Sequence, residues 1–306
     1  MQVTQEKHKF LVVGLGEILW DILPAGKQLG GAPANFAYHA QAIGSEAVVV
    51  SRVGEDTLGK EILTRLGELG LECGYIQTDR EHPTGTVTVE LDEQGKPAYN
   101  IHEDVAWDFI GAEVALLDFA SRADAVCFGS LCQRHRVSRA TIREFLSATR
   151  QDCIRVFDIN LRQSYFYEEI VETMLGVADV LKLNDEELPV VARLVGAKGT
   201  EDEVLSDLTA RYELRMIALT RGSAGSLLYS GGRSCEHEGY PTEVVDTVGA
   251  GDAFSAALTV GLLQGTDVSE INDFANRVAS FVCSQPGATP RLPDSLAAVE
   301  GSESTK

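Results

Sequence analysis

The 306-residue sequence predicts an α/β protein with a mostly parallel central sheet flanked by helices on both faces. Three observations carry this expectation. Short, nearly continuous apolar runs recur along the chain; amphipathic helical stretches separate them; and no internal repeat, low-complexity tract or Pro/Ser-rich linker interrupts the alternation. A run that is apolar at almost every position suits a strand buried on both faces, as strands of a parallel sheet are. The helical stretches supply the crossovers that parallel strands require. Two average domains would fit this length, but α/β folds of this size often share one core, so a single domain over residues 1–306 is expected.

Taken in order, strands are predicted at "FLVVGLG" (10–16), "AVVVSRV" (47–53), "ADAVCFG" (123–129), "IRVFDIN" (154–160), "ADVLKLN" (178–184) and "MIALTRG" (216–222). Helices are predicted over segments such as 134–149, 185–195 and 268–284. One region breaks the rhythm. "TGTVTVEL" (84–91) alternates with period two and "DEQGK" (92–96) forms a turn before "PAYNIH", which reads as a hairpin with one wetter face. With "EILWDILP" (17–24) it would make a small second sheet, drawn from about 17–29 and 84–108. Such a flap is either a lid over a site or a homodimer contact made through exposed Trp20, Trp107 and neighbouring apolar groups. The tail from about Ser295 reads as loose.

Composition narrows the function. Apolar residues make up 44% and charged residues 24%, no run approaches the ~20 apolar residues of a membrane span, and "MQVTQEKHKF" lacks a signal-peptide pattern, so a cytoplasmic protein is expected. The formal net charge of −20 disfavours nucleic acid and anionic membranes as partners. An anionic ligand would therefore need a local pocket of amides and arginines. The six cysteines contain no C-x-x-C pair and the six histidines show no metal spacing. Two phosphate-loop lookalikes are discounted. "GEDTLGKE" (54–61) has Glu61 where a Ser/Thr hydroxyl would hold magnesium, and "GLGEIL" (14–19) lacks the third glycine of a dinucleotide fingerprint.

Two glycine motifs carry chemistry. "DTVGAGDAFSAAL" (246–258), preceded by a short strand at "YPTEVV", leads into a helix through residues small enough for backbone N–H groups to approach a ligand. Amides of Gly249, Ala250 and Gly251, backed by the helix dipole, make a cradle for a transferring phosphoryl group. The dipole is expected to keep Asp252 ionised; that Asp252 merely complements the dipole remains open here. "LGGAPANFAYHAQAIG" (29–44) places Gly30 and Gly31 before Pro33 and a helix carrying Asn35, whose amide can serve sugar hydroxyls as donor and acceptor. Asp21, on the preceding lid-like strand, could accept two hydroxyl hydrogen bonds.

Together these stretches resemble the two signatures of the ribokinase-like, PfkB-type carbohydrate kinases, in the right order and within a pattern running from Gly14 to about Ala288. The resemblance implies a ribokinase-like three-layer sandwich with a small β-sheet lid. It implies Asp252 as the base for a sugar hydroxyl and the Gly249–Asp252 turn as an anion hole for phosphoryl transfer. Arg162, in "DINLR", would clamp phosphate or substrate, and Gly30, Gly31, Asn35 and Asp21 would bind the sugar. Asn184, Thr220, Gly222, Gly225 and Asn276 would join Gly249 and Gly251 around ATP. Glu187 would organise Mg2+ through water, although Asn184 and Glu187 also have the spacing of a helix capping box. Asp246, Val248 and Gly287 fall near the family's monovalent-cation (K+) site. "GGAPAN" and "GEILWDILP" are similar to fructokinases, which implies fructose as acceptor. 2-Keto-3-deoxygluconate, another ketose, ribose or a nucleoside are the alternatives, and a catalytically silent sugar sensor is the reading from another class.

Overall fold

Continuous apolar runs cannot face water on either side, and all six of those predicted become consecutive neighbours in one sheet. The computed structural model describes residues 9–23, 26–91 and 97–297. In chain order the strands are β1 (Leu11–Leu15), β2 (Leu19–Leu23), β3 (Gly26–Gly30), β4 (Glu46–Gly54), β5 (Ile76–Asp79), β6 (Gly85–Leu91), β7 (Pro97–Ile101), β8 (Ala125–Phe128), β9 (Ile154–Asp158), β10 (Val180–Asn184), β11 (Met216–Thr220), β12 (Ser226–Ser230) and β13 (Arg233–His237). The helices are α1 (Ala32–Ala42), α2 (Thr57–Glu68), α3 (Val114–Ala120), α4 (Arg136–Ala148), α5 (Glu168–Leu175), α6 (Glu187–Leu194), α7 (Glu201–Tyr212), α8 (Ala250–Gln264) and α9 (Val268–Cys283).

The large sheet has the order β13-β12-β11-β10-β9-β8-β1-β4-β5. Every pairing from β11 to β5 is parallel, and β12 and β13 extend one edge antiparallel. Strand β1 lies inside the sheet, with Val13 opposite Val48 on one side and Val126 on the other. Its side chains alternate between two apolar layers. Leu11, Val13 and Leu15 pack in the layer that holds Leu116 of α3, Phe145 of α4 and Leu205 of α7. Val12 faces the layer of Phe36 of α1, Ile62 of α2, Phe254 of α8 and Phe274 of α9. Each such fully buried side chain contributes about 1.5–3 kcal/mol. The result is a three-layer sandwich.

Beyond β1 the chain first builds part of the small sheet and α1, then adds β4 on one side; only much later does it add β8 on the other. Strand order therefore reverses at β1, and the crevice at the carboxyl ends of these strands is where such sheets bind ligands. The small sheet has the order β3-β2-β6-β7. The predicted hairpin is present as the antiparallel pair β6–β7, while β2 joins β6 in parallel and β3 antiparallel. Its turn at 92–96 lies outside the described residues. Asp56 ties the entrance of β6 to the large sheet by accepting from Thr84 N (2.8 Å) and Thr84 Oγ1 (2.7 Å) while capping α2 at Gly59 N (2.8 Å).

Four expectations need correction. Trp20 and Trp107 are buried, not exposed, so they cannot supply a dimer contact. Trp20 packs toward α2 and donates from Nε1 to Leu58 O (3.0 Å), and Trp107 lies beneath the Arg134 guanidinium, 4.0 Å from its ring centre. The segment 240–245 forms no strand; it runs irregularly from the end of β13 toward α8. The two edge strands β12 and β13 were not expected, because β13 is largely exposed and leaves no apolar run to read. The tail is docked farther than expected: Asp294–Leu296 forms a short 3-10 turn with Leu296 buried, and residues 298–306 lie outside the described part.

Candidate active site

Helix α8 starts at the carboxyl side of the sheet, and its first residues decide the chemistry there. Gly249 caps it in the left-handed region (φ 79°), and a Cβ at this position would come within 2.6 Å of Ala288 O. Only glycine meets both conditions without strain. The first-turn amides have no acceptor inside the helix. Ala250 N–H makes a long bond to Thr247 O (3.4 Å), so the cradle is partly occupied at that one amide. Gly251 keeps the turn open on its other side, since a Cβ there would stand 3.0 Å from Lys182 Nζ.

Asp252 follows in the first turn and is met by Asn35 from α1, whose Nδ2 donates to its Oδ2 at 2.8 Å. The two glycine motifs, 217 residues apart, are thus joined by one hydrogen bond. Burial and the nearby charge of Asp158 push the Asp252 carboxyl up to about 6, against the opposing effects of Asn35, Lys182 and Arg162. Burial thus lifts this carboxyl above the ordinary aspartate value, and a group with a pKa of about 6 is still mostly ionised at neutral pH. Behind Asp252 lies a buried ion pair, Lys182 Nζ to Asp158 Oδ1 at 3.1 Å, with Ser255 Oγ donating to Asp158 Oδ2 at 2.8 Å. Burial alone would lower the Lys182 pKa, but Asp158, Glu187 and Asp252 reverse this and hold it above its ordinary value.

Asp21 on β2 and the Gly30–Gly31 turn form the opposite wall. A side chain on Gly30 would collide with Asp21 Oδ2, and one on Gly31 (φ 115°) would come within 2.5 Å of Glu17 O. Burial raises Asp21 to about 6, partly offset by Arg162. Glu17, one residue past the Gly16 turn after β1, is buried with Oε2 lacking a hydrogen-bond partner. Burial and the charge of Asp252 raise it to about 7 against its backbone hydrogen bonds and Arg162. Asn35 Oδ1 is likewise buried and unpartnered. Arg162 is exposed, donates to Leu161 O (3.0 Å), and acts electrostatically on Glu17, Asp21 and Asp252 from a loop whose Asn160 and Gln163 adopt positive φ.

The remaining predicted residues line the neighbouring strand ends. Asn184 and Glu187 form the reciprocal pair of a capping box: Asn184 Oδ1 accepts from Glu187 N (2.8 Å) and Glu187 Oε2 from Asn184 N (2.9 Å). Glu187 Oε1 also accepts from Leu161 N (2.8 Å), which fixes the loop that carries Arg162. Thr220 ends β11 and points Oγ1 at Leu183 O (3.4 Å); Gly222 and Gly225, both at positive φ, bound the turn into β12. Asp246 bridges two loops, accepting from Val248 N (3.0 Å) and Gly287 N (3.1 Å). Val248, Val244 and Val245 are exposed. Asn276 is set apart from these by its bonds: it donates to Ser226 Oγ (2.7 Å) and Asn272 O (2.8 Å), so both amide hydrogens are committed inside the protein.

Sequence reasoning left three site residues without a role. Glu17 stood inside a discounted dinucleotide lookalike. Lys182 was visible as the single charge in the apolar run "ADVLKLN", where a buried strand admits a cation only if it is paired. Asp158 was quoted in "DINLR" without a partner. Comparisons with known proteins place the chain in a family. Residues 24–295 match the model of the pfkB family carbohydrate kinases. A fructokinase of Escherichia coli is 30% identical over 296 residues, covering 91% of this chain and 95% of that protein. A sugar kinase of Pyrococcus horikoshii, solved in complex with ATP, is 27% identical with a TM-score of 0.77 over 92% of this chain and 94% of that one. A fructokinase of Vibrio cholerae O395, solved with fructose, ADP and calcium, has a TM-score of 0.76 at 24% identity, covering 93% of this chain and 96% of that one.

Proposed function

The chain belongs to the pfkB family of carbohydrate kinases, and from that premise we propose that it transfers the γ-phosphoryl group of ATP to a hydroxyl of fructose, giving fructose 6-phosphate and ADP. The observation that carries the reading is the bond between Asn35 and Asp252, which sets a half-buried carboxylate between a hydroxyl-binding helix and the amides of the Gly249–Gly251 turn. Asp252 takes the proton of the attacking hydroxyl as its oxygen bonds to phosphorus and the bond from phosphorus to the β-phosphate oxygen breaks. A pKa near 6 leaves Asp252 mostly ionised at neutral pH and stronger as a base than an exposed aspartate. The amides of Gly249, Ala250 and Gly251 stabilise the charge on the transferring group. Arg162 clamps phosphate from the facing loop.

Acceptor choice follows from charge. Glu17, Asp21 and Asp252 surround the hydroxyl-binding turn, and Arg162 is the cation they share on the solvent side. A neutral hexose can donate hydroxyl hydrogens to these carboxyl groups and to the unpartnered Asn35 Oδ1. A sugar acid such as 2-keto-3-deoxygluconate would bring a further negative charge to the same wall. On the nucleotide side, Asn184, Thr220, Gly222 and Gly225 face the phosphates, and Asn276 supports the adenine pocket from within, through α9. Glu187, whose two oxygens already accept backbone hydrogens, suits a hold on Mg2+ through water; the ion when bound neutralises phosphate charge. The Asp246 bridge, drawing Val248 and Gly287 together, fits a monovalent cation of the K+ type. The small sheet, with Asp21 on β2, serves as the lid of a single kinase unit.

A coupled ADP-release assay over fructose, other hexoses, ribose, 2-keto-3-deoxygluconate and nucleosides tests this, with the product hydroxyl located by NMR. Highest turnover on fructose at the 6-hydroxyl is expected. Binding without turnover for every acceptor would replace the kinase reading with a sugar-sensing one.

A further inference from the structure

Helix α1 carries three polar side chains that reach more than two hundred residues along the chain, to Asp252 and to the 288–290 loop. Asn35 donates to Asp252 Oδ2 (2.8 Å), Tyr38 Oη donates to Pro290 O (3.1 Å), and His39 Nε2 bonds Ala288 O at 2.9 Å. A carbonyl oxygen only accepts, so His39 carries its proton on Nε2, which leaves Nδ1 buried and without a partner. His39 is completely buried. Burying a polar ring with half its hydrogen-bonding capacity unmet is costly, and a hydrocarbon side chain would fill the space without that cost. The bond to Ala288 is the interaction that only the polar ring supplies.

Ala288 is also the residue against which Gly249 is pressed. A Cβ on Gly249 would come within 2.6 Å of Ala288 O and 2.8 Å of its Cα and Cβ. Gly287, one residue earlier, donates to Asp246 at 3.1 Å, so the same loop is held from both sides of the Gly249 turn. The carbonyl fixed by His39 is thus the floor beneath the turn that presents the amides.

We propose that His39 is a positioning residue for phosphoryl transfer: by holding the Ala288 carbonyl it sets the depth of the Gly249–Asp252 turn and couples that turn to the helix that carries Asn35. This rests on the reading of the turn as the phosphoryl site. Burial holds the imidazole well down, at about 4, against the raising effect of its bond to Ala288, so the ring stays neutral and the bond persists across neutral pH.

The test compares two amides. In His39→Gln the side-chain nitrogen reaches the place of Nε2 and can still donate to Ala288; in His39→Asn it falls short. Displacement of a catalytic group by about 1 Å can cost up to about a hundredfold. The Asn variant should lose at least about tenfold in kcat with its KM for sugar within about twofold, and the Gln variant should keep kcat within about threefold of the parent. A purely structural role predicts equal kcat for the two, with differences confined to melting temperature, and that result overturns the proposal. Loss of folding in the Asn variant also overturns it, because the bond is then structural. A parent without turnover removes both this proposal and the kinase reading, whereas an active parent with two equally active variants removes this one alone.

Discussion

Substituting Asp252 by asparagine should lower turnover and raise stability at the same time, a combination that few other origins of the effect would give. The amide keeps size and shape, and by turning its oxygen toward Asn35 Nδ2 it can keep the 2.8 Å hydrogen bond. It cannot accept the hydroxyl proton, so kcat should fall by about 10²–10⁴, with both KM values little changed because the turn amides remain. The stability change follows from linkage. The folded-state pKa is about 6 against an ordinary 3.8, so the folded protein holds the proton more tightly than the unfolded chain. Stability is therefore lost as pH rises from about 4 to about 6, and the full loss persists above. A shift of about two pH units at 1.36 kcal/mol each amounts to about 3 kcal/mol. An uncharged asparagine avoids that loss, so at pH 8 the variant should melt higher, on the order of 5 °C for a chain of this size. At pH 4 the difference should vanish. Steady-state kinetics and thermal unfolding on one preparation check both halves. Turnover kept within about tenfold would remove Asp252 as the base; a variant less stable at pH 8, by the ~0.3–1 kcal/mol of a lost dipole partner, would refute the claim that burial raises this carboxyl.

Further outcomes are expected. In the parent, kcat should fall about tenfold per pH unit below about 6 as Asp252 takes up its proton; Asn35→Ala removes a bond that lowers this pKa, so its profile should move to higher pH, and an unmoved profile would separate Asn35 from the base. Asp21→Ala should raise the KM for sugar by about 1.5–3 kcal/mol, the worth of a charge-assisted bond, while leaving that for ATP nearly constant, and equal effects on both would take Asp21 out of the sugar site. Amide hydrogen exchange across 85–91 should slow when sugar binds if the small sheet closes over the crevice, and protection confined to other segments would leave that sheet as surface.

What the sequence made legible follows from burial. Strands β1, β4, β8, β9, β10 and β11 are covered on both faces, so each reads as an apolar run whatever its partners. Strand β13, with exposed and half-buried positions only, has no such signature, and β5 is four residues long. The glycine motifs were legible because close backbone approach admits few residue types: Gly249 against Ala288 and Gly31 against Glu17 leave no room for a side chain. Long-range neighbours were not legible. Nothing in "EILWDILP" tells which face of β2 meets α2, so Trp20 read as exposed. The local sequence around Asp252 shows a helix start, but the charge of Asp158, 94 residues earlier, and the burial that raises its pKa enter only with the fold.

The placement of a carboxylate where amides gather to attract negative charge then has a physical account. Asp252 feels Asn35, Lys182 and Arg162 in one direction and burial with Asp158 in the other, and the second set prevails. Lys182 is already engaged by Asp158, so it moderates the carboxylate without neutralising it. A γ-phosphoryl group at the Gly249–Gly251 amides would bring negative charge closer still and occupy the donors that favour ionised Asp252, and a sugar packed on Asn35 would exclude more water. Each of these raises a carboxyl pKa. With Asp252 as the proposed base, its basicity would be lowest in the open protein and rise as both substrates arrive, which would place the strongest pull on the hydroxyl proton in the state where phosphorus is there to receive the oxygen.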